Sequence, residues 1–434
     1  MSVAGRSRSL VGAIVFLASV AAFSRVPLLP QIGRYLSLSV SQLGLLTTAL
    51  GIGRLAMDLP AGRLAAAVGA ERSLVGAGLA LAAACALLAS AHSFAQALVA
   101  SAVIGCATAL VNTTGMYVFA VGASSERRGA SMALYTSALM GGMMAGPVVG
   151  GALGSLAGWR AAIWLVSPIG AAIALACLVS GRVRLLPARG AATDPPAAAA
   201  RDAGTAPAAA DPGAAATDTG AAAAAAAPSR RELVALGAVP FASFFATAGL
   251  LQTLAPVIGD GELRLSPSAI GLTLGLGTAA RFVTAWTSGT VSDRVPRRLV
   301  IVPTVLLMAL GALLLALPAG FAGWLGAIVL VAVGSSGVGA AAAALADRVP
   351  AERLGRELGL FRLVGDLGLL LGPAAVGFAF QDLGTRAAGG IAAGVVALAA
   401  LACALWGAPR DSGARRARRT VPRPRGVDSG RRRV

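Results

Sequence analysis

Residues 142–151 read GMMAGPVVGG, and residues 368–377 read GLLLGPAAVG. The two stretches share glycine at their first, fifth and tenth positions and proline at the sixth, at an offset of 226 residues. The correspondence extends outward. At the same offset Glu126 and Arg127 match Glu352 and Arg353, Gly129 matches Gly355, and Tyr135 matches Phe361. At an offset of 227, Ser41, Gly44, Arg54 and Gly62 match Ser268, Gly271, Arg281 and Gly289. A chain that repeats over this distance is two copies of one unit, and that duplication decides the fold.

Each copy is built from apolar runs. Of 434 residues 57% are hydrophobic and 12% charged, against roughly 25% charged in soluble domains, and the mean hydropathy is +0.79. Twelve runs have the roughly 18 to 25 residues that a bilayer crossing needs. They are Leu10–Leu29, Ser41–Leu64, Ser73–Ala91, Ala95–Ala120, Ala130–Leu153, Ala161–Val179, Leu233–Ile258, Ser268–Val291, Leu299–Leu317, Phe321–Leu345, Leu358–Phe380 and Ala387–Trp406. The first contains Arg25, is long for a signal core and lacks a small-residue cleavage site, so it reads as a retained helix. The expected fold is an all-α membrane protein with twelve transmembrane helices in two parallel-repeat six-helix bundles. The halves are residues 1–181 and 232–408. Between them, residues 182–231 are rich in Ala, Pro, Gly and Asp without large apolar side chains, the composition of a disordered linker. Residues 409–434 form a tail with ten arginines, suited to anionic lipid.

All 36 basic residues are arginine, against 18 acids, for a net charge of +18. With an internal N-terminus, that terminus and the loops on its side hold twelve arginines and the opposite loops four. The linker and tail add sixteen more to the first side. The positive-inside bias therefore expects both termini in the cytoplasm of a multi-pass protein of the cell's inner (plasma) membrane. The same inventory excludes much chemistry. One histidine, His92, rules out histidine metal clusters and triads, so no metal is expected. Four dispersed cysteines in apolar runs read as packing residues. There is no basic patch interleaved with aromatics, hence no nucleic-acid partner, and no GxxxxGK[ST] loop to bind a nucleotide. No cofactor and no enzyme activity are expected.

A parallel repeat of six-helix units is a transporter signature, and three motifs carry a closer resemblance. After segment eight, Gly289 is followed by Asp293, Arg294, Arg297 and Arg298 in GTVSDRVPRR. This is similar to the loop signature GxLaDRxGRR of the major facilitator superfamily, with Pro296 replacing its second glycine. The counterpart after segment two is degenerate, with Ala66 and Ala67 at the Asp and Arg positions. In segment five, Gly142, Gly146, Pro147, Gly150 and Gly151 resemble the motif that the family associates with exporters and antiporters. The arginine that many proton-coupled members carry four residues before the position of Gly105 is absent; Ser101 stands there. The resemblance spans residues 10–408. It implies secondary active transport by alternating access, with proton-coupled export of a small organic molecule by a monomer. Its partners would be that substrate, protons and the bilayer. The alternatives are uptake of a small organic anion and a membrane sensor that moves nothing.

The residues suggest how such a machine would be built. Glycines four apart lie on one helical face and admit close backbone approach, and Pro147 bends its helix. Asp293 and the three arginines near it suit a helix C-terminus and a latch to a neighbouring element. A charge inside the bilayer costs roughly 2.5–3.5 kcal/mol and is retained where it faces the protein interior. Arg54 and Asp58 are four apart in segment two, and Arg362 and Asp366 four apart in segment eleven. They are candidates for proton coupling and gating, as an inter-helix cluster or as local pairs. Arg281 has no acid on the segment expected beside it and is a candidate for the substrate cavity. Arg25, Asn112 and Gln252 join it there, although Arg25 also suits snorkelling and the two amides also suit helix–helix bonds.

Overall fold

The computed structural model describes residues 3–121, 128–180, 229–292, 295–317, 320–349 and 351–406. Most of the expected linker and tail lies outside these residues. Among those described, all regular structure is helical. Among the described residues nine helices are long and apolar enough to cross a membrane. Two of them, Ala130–Val179 and Arg353–Trp406, are broken by Gly158 (φ 78°, ψ 165°) and Gly384 (φ 82°, ψ 179°). Only glycine adopts this backbone without strain, and the two breaks stand 226 residues apart. Each broken helix is two spans. With Pro267–Ser292, less hydropathic because of its threonines and Arg281, the described residues contain the twelve spans expected.

These spans are α1 (Val3–Phe23, continued by Val26–Leu28 and Leu29–Leu36), α2 (Val40–Val68), α3 (Ala70–Ala89), α4 (Phe94–Val121), α5 (128–157) and α6 (159–180). The second set is α7 (Arg230–Gly261), α8 (Pro267–Ser292), α9 (Arg298–Leu315), α10 (Gly320–Ala346), α11 (351–383) and α12 (385–406). Helix α7 takes in Arg230 and Arg231, which composition alone assigns to the linker. The reason is a capping box in which the Ser229 hydroxyl accepts from the Glu232 amide and the Glu232 carboxylate from the Ser229 amide.

The repeat is visible in backbone detail. In the turn from α1 to α2, Ser37 takes φ 53° and Ser39 caps α2. In the turn from α7 to α8, Arg264 takes φ 53° and the Ser266 hydroxyl accepts from the Ala269 amide at 3.2 Å. Both pairs stand 227 residues apart. Packing divides the same way. One buried cluster draws on residues 11–177; the other draws on residues 235–403 and Val26. Each half has its own core, and many of its helices show apolar side chains to the outside, such as Leu156, Leu178 and Leu398, as lipid-facing spans do.

Two seams join the halves, α2 against α11 and α5 against α8. A Cβ on Gly44 of α2 would strike the Pro373 carbonyl of α11, and one on Gly271 of α8 would strike the Pro147 carbonyl of α5. Gly44 and Gly271 are repeat partners, as are Pro147 and Pro373. The seams are therefore one contact used twice. Both crossings lie near the face carrying the α1–α2 and α7–α8 turns, called here the turn face.

Candidate functional site

A cavity lies between the halves at mid-depth. Phe23 and Val26 of α1, Met143 and Pro147 of α5, Thr247, Leu251 and Gln252 of α7, Leu274, Thr278 and Arg281 of α8, and Ala332 of α10 line it. The helices that supply it are irregular where they meet it. Helix α1 tightens into a 3-10 turn at Val26–Leu28, and α7 widens into a π-helix over Thr247–Leu254. Such segments commonly mark functional sites. Arg281 makes no hydrogen bond or ion pair among the described residues, and no Asp or Glu lines the cavity. The structure thus brings Arg281 and Gln252 together.

It places the other two cavity candidates elsewhere. Arg25 is 3% exposed and packs inside the first half, with Nη1 donating to the Ser101 hydroxyl at 3.5 Å and Nε without a partner. The break in α1 at Ser24–Val26 turns it toward α4 and away from the cavity. Its guanidinium meets the side chain of Ser101, at the α4 position where the family's arginine is missing. Asn112 is half-buried on α4, and its backbone carbonyl accepts the Tyr135 hydroxyl at 3.1 Å.

Three of the four gating candidates join across the α2–α11 seam. Arg362 Nη2 lies 3.3 Å from Asp58 Oδ2 of the other half, and Arg362 Nε lies 3.9 Å from Asp366 Oδ2 one turn along. Arg54 forms no ion pair among the described residues, and its Nε is enclosed without a partner. So the pairing is neither wholly local nor a closed ring of four: one guanidinium is shared by two carboxylates. The α5–α8 seam lacks this pairing: Ala285 and Met140 stand where Asp58 and Asp366 would be and Thr136 where Arg362 would be, and only Arg281 has a charged counterpart, Arg54.

At the turn face the halves are held by contacts that composition does not single out. Arg34, at the end of α1, pairs with Asp260, at the end of α7. The Val40 amide donates to Gln381 Oε1 at 3.2 Å, and the Ser268 amide to the Ser155 hydroxyl at 2.9 Å. The sequence does hold a signal for the first pair. At the 227-residue offset of the adjoining turns the counterpart of Arg34 is Gly261, so Asp260 stands one residue before it and opposite charges lie at corresponding helix ends of the two halves. The distance between gates follows from helix rise. Asp58 is 18 residues beyond Val40, about 27 Å along α2.

The glycines of the α5 motif serve two neighbours. Gly142, Gly146 and Gly150 bring α5 against the α1 backbone at Phe16, Val20 and Ser24, whereas Gly151 meets Pro267 and Gly271 of α8. The α11 copy does likewise: Gly368 and Gly372 lie on the α7 backbone at Phe241 and Phe245, and Gly377 meets α2 at Val40. Of the loop motif, Asp293 and Arg294 lie outside the described residues, and Gly289 is in the last turn of α8. Arg297 Nε donates to Asp347 Oδ2 at 2.6 Å, and Arg298 donates to the Ala404 carbonyl. These arginines tie the α8–α9 turn to the ends of α10 and α12, all within the second half.

Comparison with known proteins agrees with this geometry. A family model described as Major Facilitator Superfamily matches residues 11–261 and 236–429. No curated protein matches the chain. Among solved structures, a bacterial homolog of the human lysosomal transporter Spinster, inward-facing and occupied, superposes with a TM-score of 0.68 at 15% identity, covering 92% of this chain and 96% of its own. An aspartate-to-alanine mutant of the nucleoside transporter NupG gives 0.69 at 12% identity, with 92% and 99% covered. The human organic anion transporter MFSD10 (TETRAN) gives 0.59 at 18% identity, with 93% and 100% covered.

Proposed function

Because the chain belongs to the Major Facilitator Superfamily, we propose that it is a secondary active transporter exporting a small organic molecule in exchange for protons. Its halves alternate the access of the cavity between them. The observation that supports this most is a cavity at mid-depth with a charged contact between the halves on either side of it: Arg34–Asp260 at the turn face and Asp58–Arg362 toward the other. Pairs this accessible contribute of order 0–1 kcal/mol each. That is the strength a gate needs, because a much stronger pair would hold one state. The arginine distribution argues that the turn face is outside, with both termini cytoplasmic in the plasma membrane. The asymmetric seams argue that proton coupling belongs to α2 and α11.

The test is a resistance and metabolite-secretion screen in a host lacking its own pumps, followed by accumulation assays with and without an uncoupler. Export predicts lower accumulation of the screened compound, reversed by the uncoupler. Higher accumulation in expressing cells would reverse the direction, and no change in either arm would leave a sensor. Arg34 and Asp260 make a second test. Arg34→Asp or Asp260→Arg alone should lower the transport rate roughly fivefold, the equivalent of about 1 kcal/mol, and the double exchange should recover most of it. A double variant as slow as the singles would remove the latch.

A further inference from the structure

We propose that the cavity selects an organic anion with an apolar body, whose negative group sits on Arg281 and Gln252. This rests on the transporter reading above and adds the substrate's charge. The argument is an inventory of donors and acceptors. Four polar side chains face the cavity: Arg281, Gln252, Thr247 and Thr278. Neither threonine has a hydroxyl proton to spare, because Thr247 Oγ1 donates to the Ser243 carbonyl at 2.8 Å and Thr278 Oγ1 to the Leu274 carbonyl at 3.0 Å. Each thus offers a ligand lone pairs and a methyl group. The free donors are the guanidinium of Arg281 and the amide of Gln252. No carboxylate lines the cavity, so a cationic ligand would meet an unbalanced positive charge, and a neutral one would leave Arg281 unpaired in a low-dielectric site. An anion satisfies it, with the planar fork suited to a carboxylate, sulfonate or phosphate.

The remaining lining is apolar, with Phe23, Leu251 and Leu274 among it, and this asks for a hydrophobic body beside the charge. The two features are geometrically linked. Gln252 lies in the π-helical stretch of α7, and Arg281 lies seven residues beyond Leu274, on the same side of α8 two turns away. The cavity is about 60 Å³ in this state, so an anion with an apolar body enters once the halves part, and it would then bridge α7 and α8 while its body reaches across to α1.

The test separates charge from shape by using one body with three headgroups: 1-naphthoate, 1-naphthylmethylammonium and 1-naphthylmethanol. Binding is measured by thermal shift and equilibrium dialysis on the purified full-length protein, without any ion gradient. Naphthoate should bind at least tenfold more tightly than the other two. Arg281→Gln should erase that difference, Arg281→Lys should keep part of it, and Gln252→Leu should weaken naphthoate roughly fivefold without creating affinity for the ammonium probe. Equal binding of the three headgroups, unchanged naphthoate binding in Arg281→Gln, or no binding of naphthoate would each overturn the proposal. Since no flux is measured, failure here leaves the transport reading standing, and failure of the uncoupler experiment leaves this selectivity standing. Should Arg281→Gln fail to reach the membrane, Gln252→Leu and Arg281→Lys carry the decision.

Discussion

Asp366→Asn should abolish proton-driven flux while downhill exchange of substrate continues, and Asp58→Asn should lose both or leak. The difference follows from where the shared guanidinium sits. Arg362 is 3.3 Å from Asp58, a contact between the halves, and 3.9 Å from Asp366 on its own helix. A proton on Asp366 removes one of the two claimants and leaves Arg362 to Asp58, closing the seam between the halves. Loss of that proton restores the competition and loosens it. Asp366 then carries the proton and Asp58 bears the gate. An Asn at 366 mimics the protonated form permanently, so the gate works without reference to the proton gradient. An Asn at 58 removes the acceptor that Arg362 needs across the seam. Measuring driven flux and counterflow on each variant in the same vesicles decides it. Full driven activity in Asp366→Asn would transfer the carrier role away from this cluster, and tight, fully coupled transport in Asp58→Asn would remove the gate.

These charges show how far a linear reading of the sequence reaches. Two Arg–Asp pairs spaced four apart stand out because charges are rare in apolar runs. The spacing suggests partners within one helix, and Arg362–Asp366 does have that contact. The exchange of partners across the seam is a property of how α2 and α11 cross, and the glycines that set this crossing, Gly44 and Gly377, are visible in the sequence only as repeat markers. The twelve spans and their two-copy order can be read because bilayer length and the repeat offset are strong signals. Local winding cannot. A π-helical stretch over Thr247–Leu254 and a 3-10 turn at Val26–Leu28 leave the apolar pattern unchanged while rotating every later residue about the helix axis. One extra or missing backbone position redirects a side chain by about 100°. Gln252 still reaches the cavity through such a stretch, whereas the break beside Arg25 turns that side chain into the first half. Arg34 and Asp260 are hidden for a different reason. Each is an ordinary loop-end charge alone, and only the repeat, which puts Asp260 one residue from the counterpart of Arg34, brings them near each other.

Gly271→Val and Gly44→Val should each slow transport by roughly 5- to 150-fold, the rate equivalent of the 1–3 kcal/mol that overpacking costs. The Cβ of either residue would meet a backbone carbonyl, Pro147 for Gly271 and Pro373 for Gly44, and a carbonyl in a helix cannot swing aside as a side chain can. The seam could close only with the helices displaced, so the state closed at the turn face would lose population. The two variants also distinguish local damage from a shift of the whole molecule. Each half has its own buried core and should move as a body, so the α2–α11 and α5–α8 seams must open and close together. The probe is a cysteine pair, Val40→Cys with Gln381→Cys, placed where the Val40 amide meets Gln381 across the α2–α11 seam, in a background with the four native cysteines replaced. If the halves are rigid, Gly271→Val, which is on the other seam, should reduce cross-linking of this pair about as much as Gly44→Val does. If the effect of Gly271→Val is confined to α5 and α8, the pair will link at its original rate, and alternation of two rigid halves will have failed for this protein.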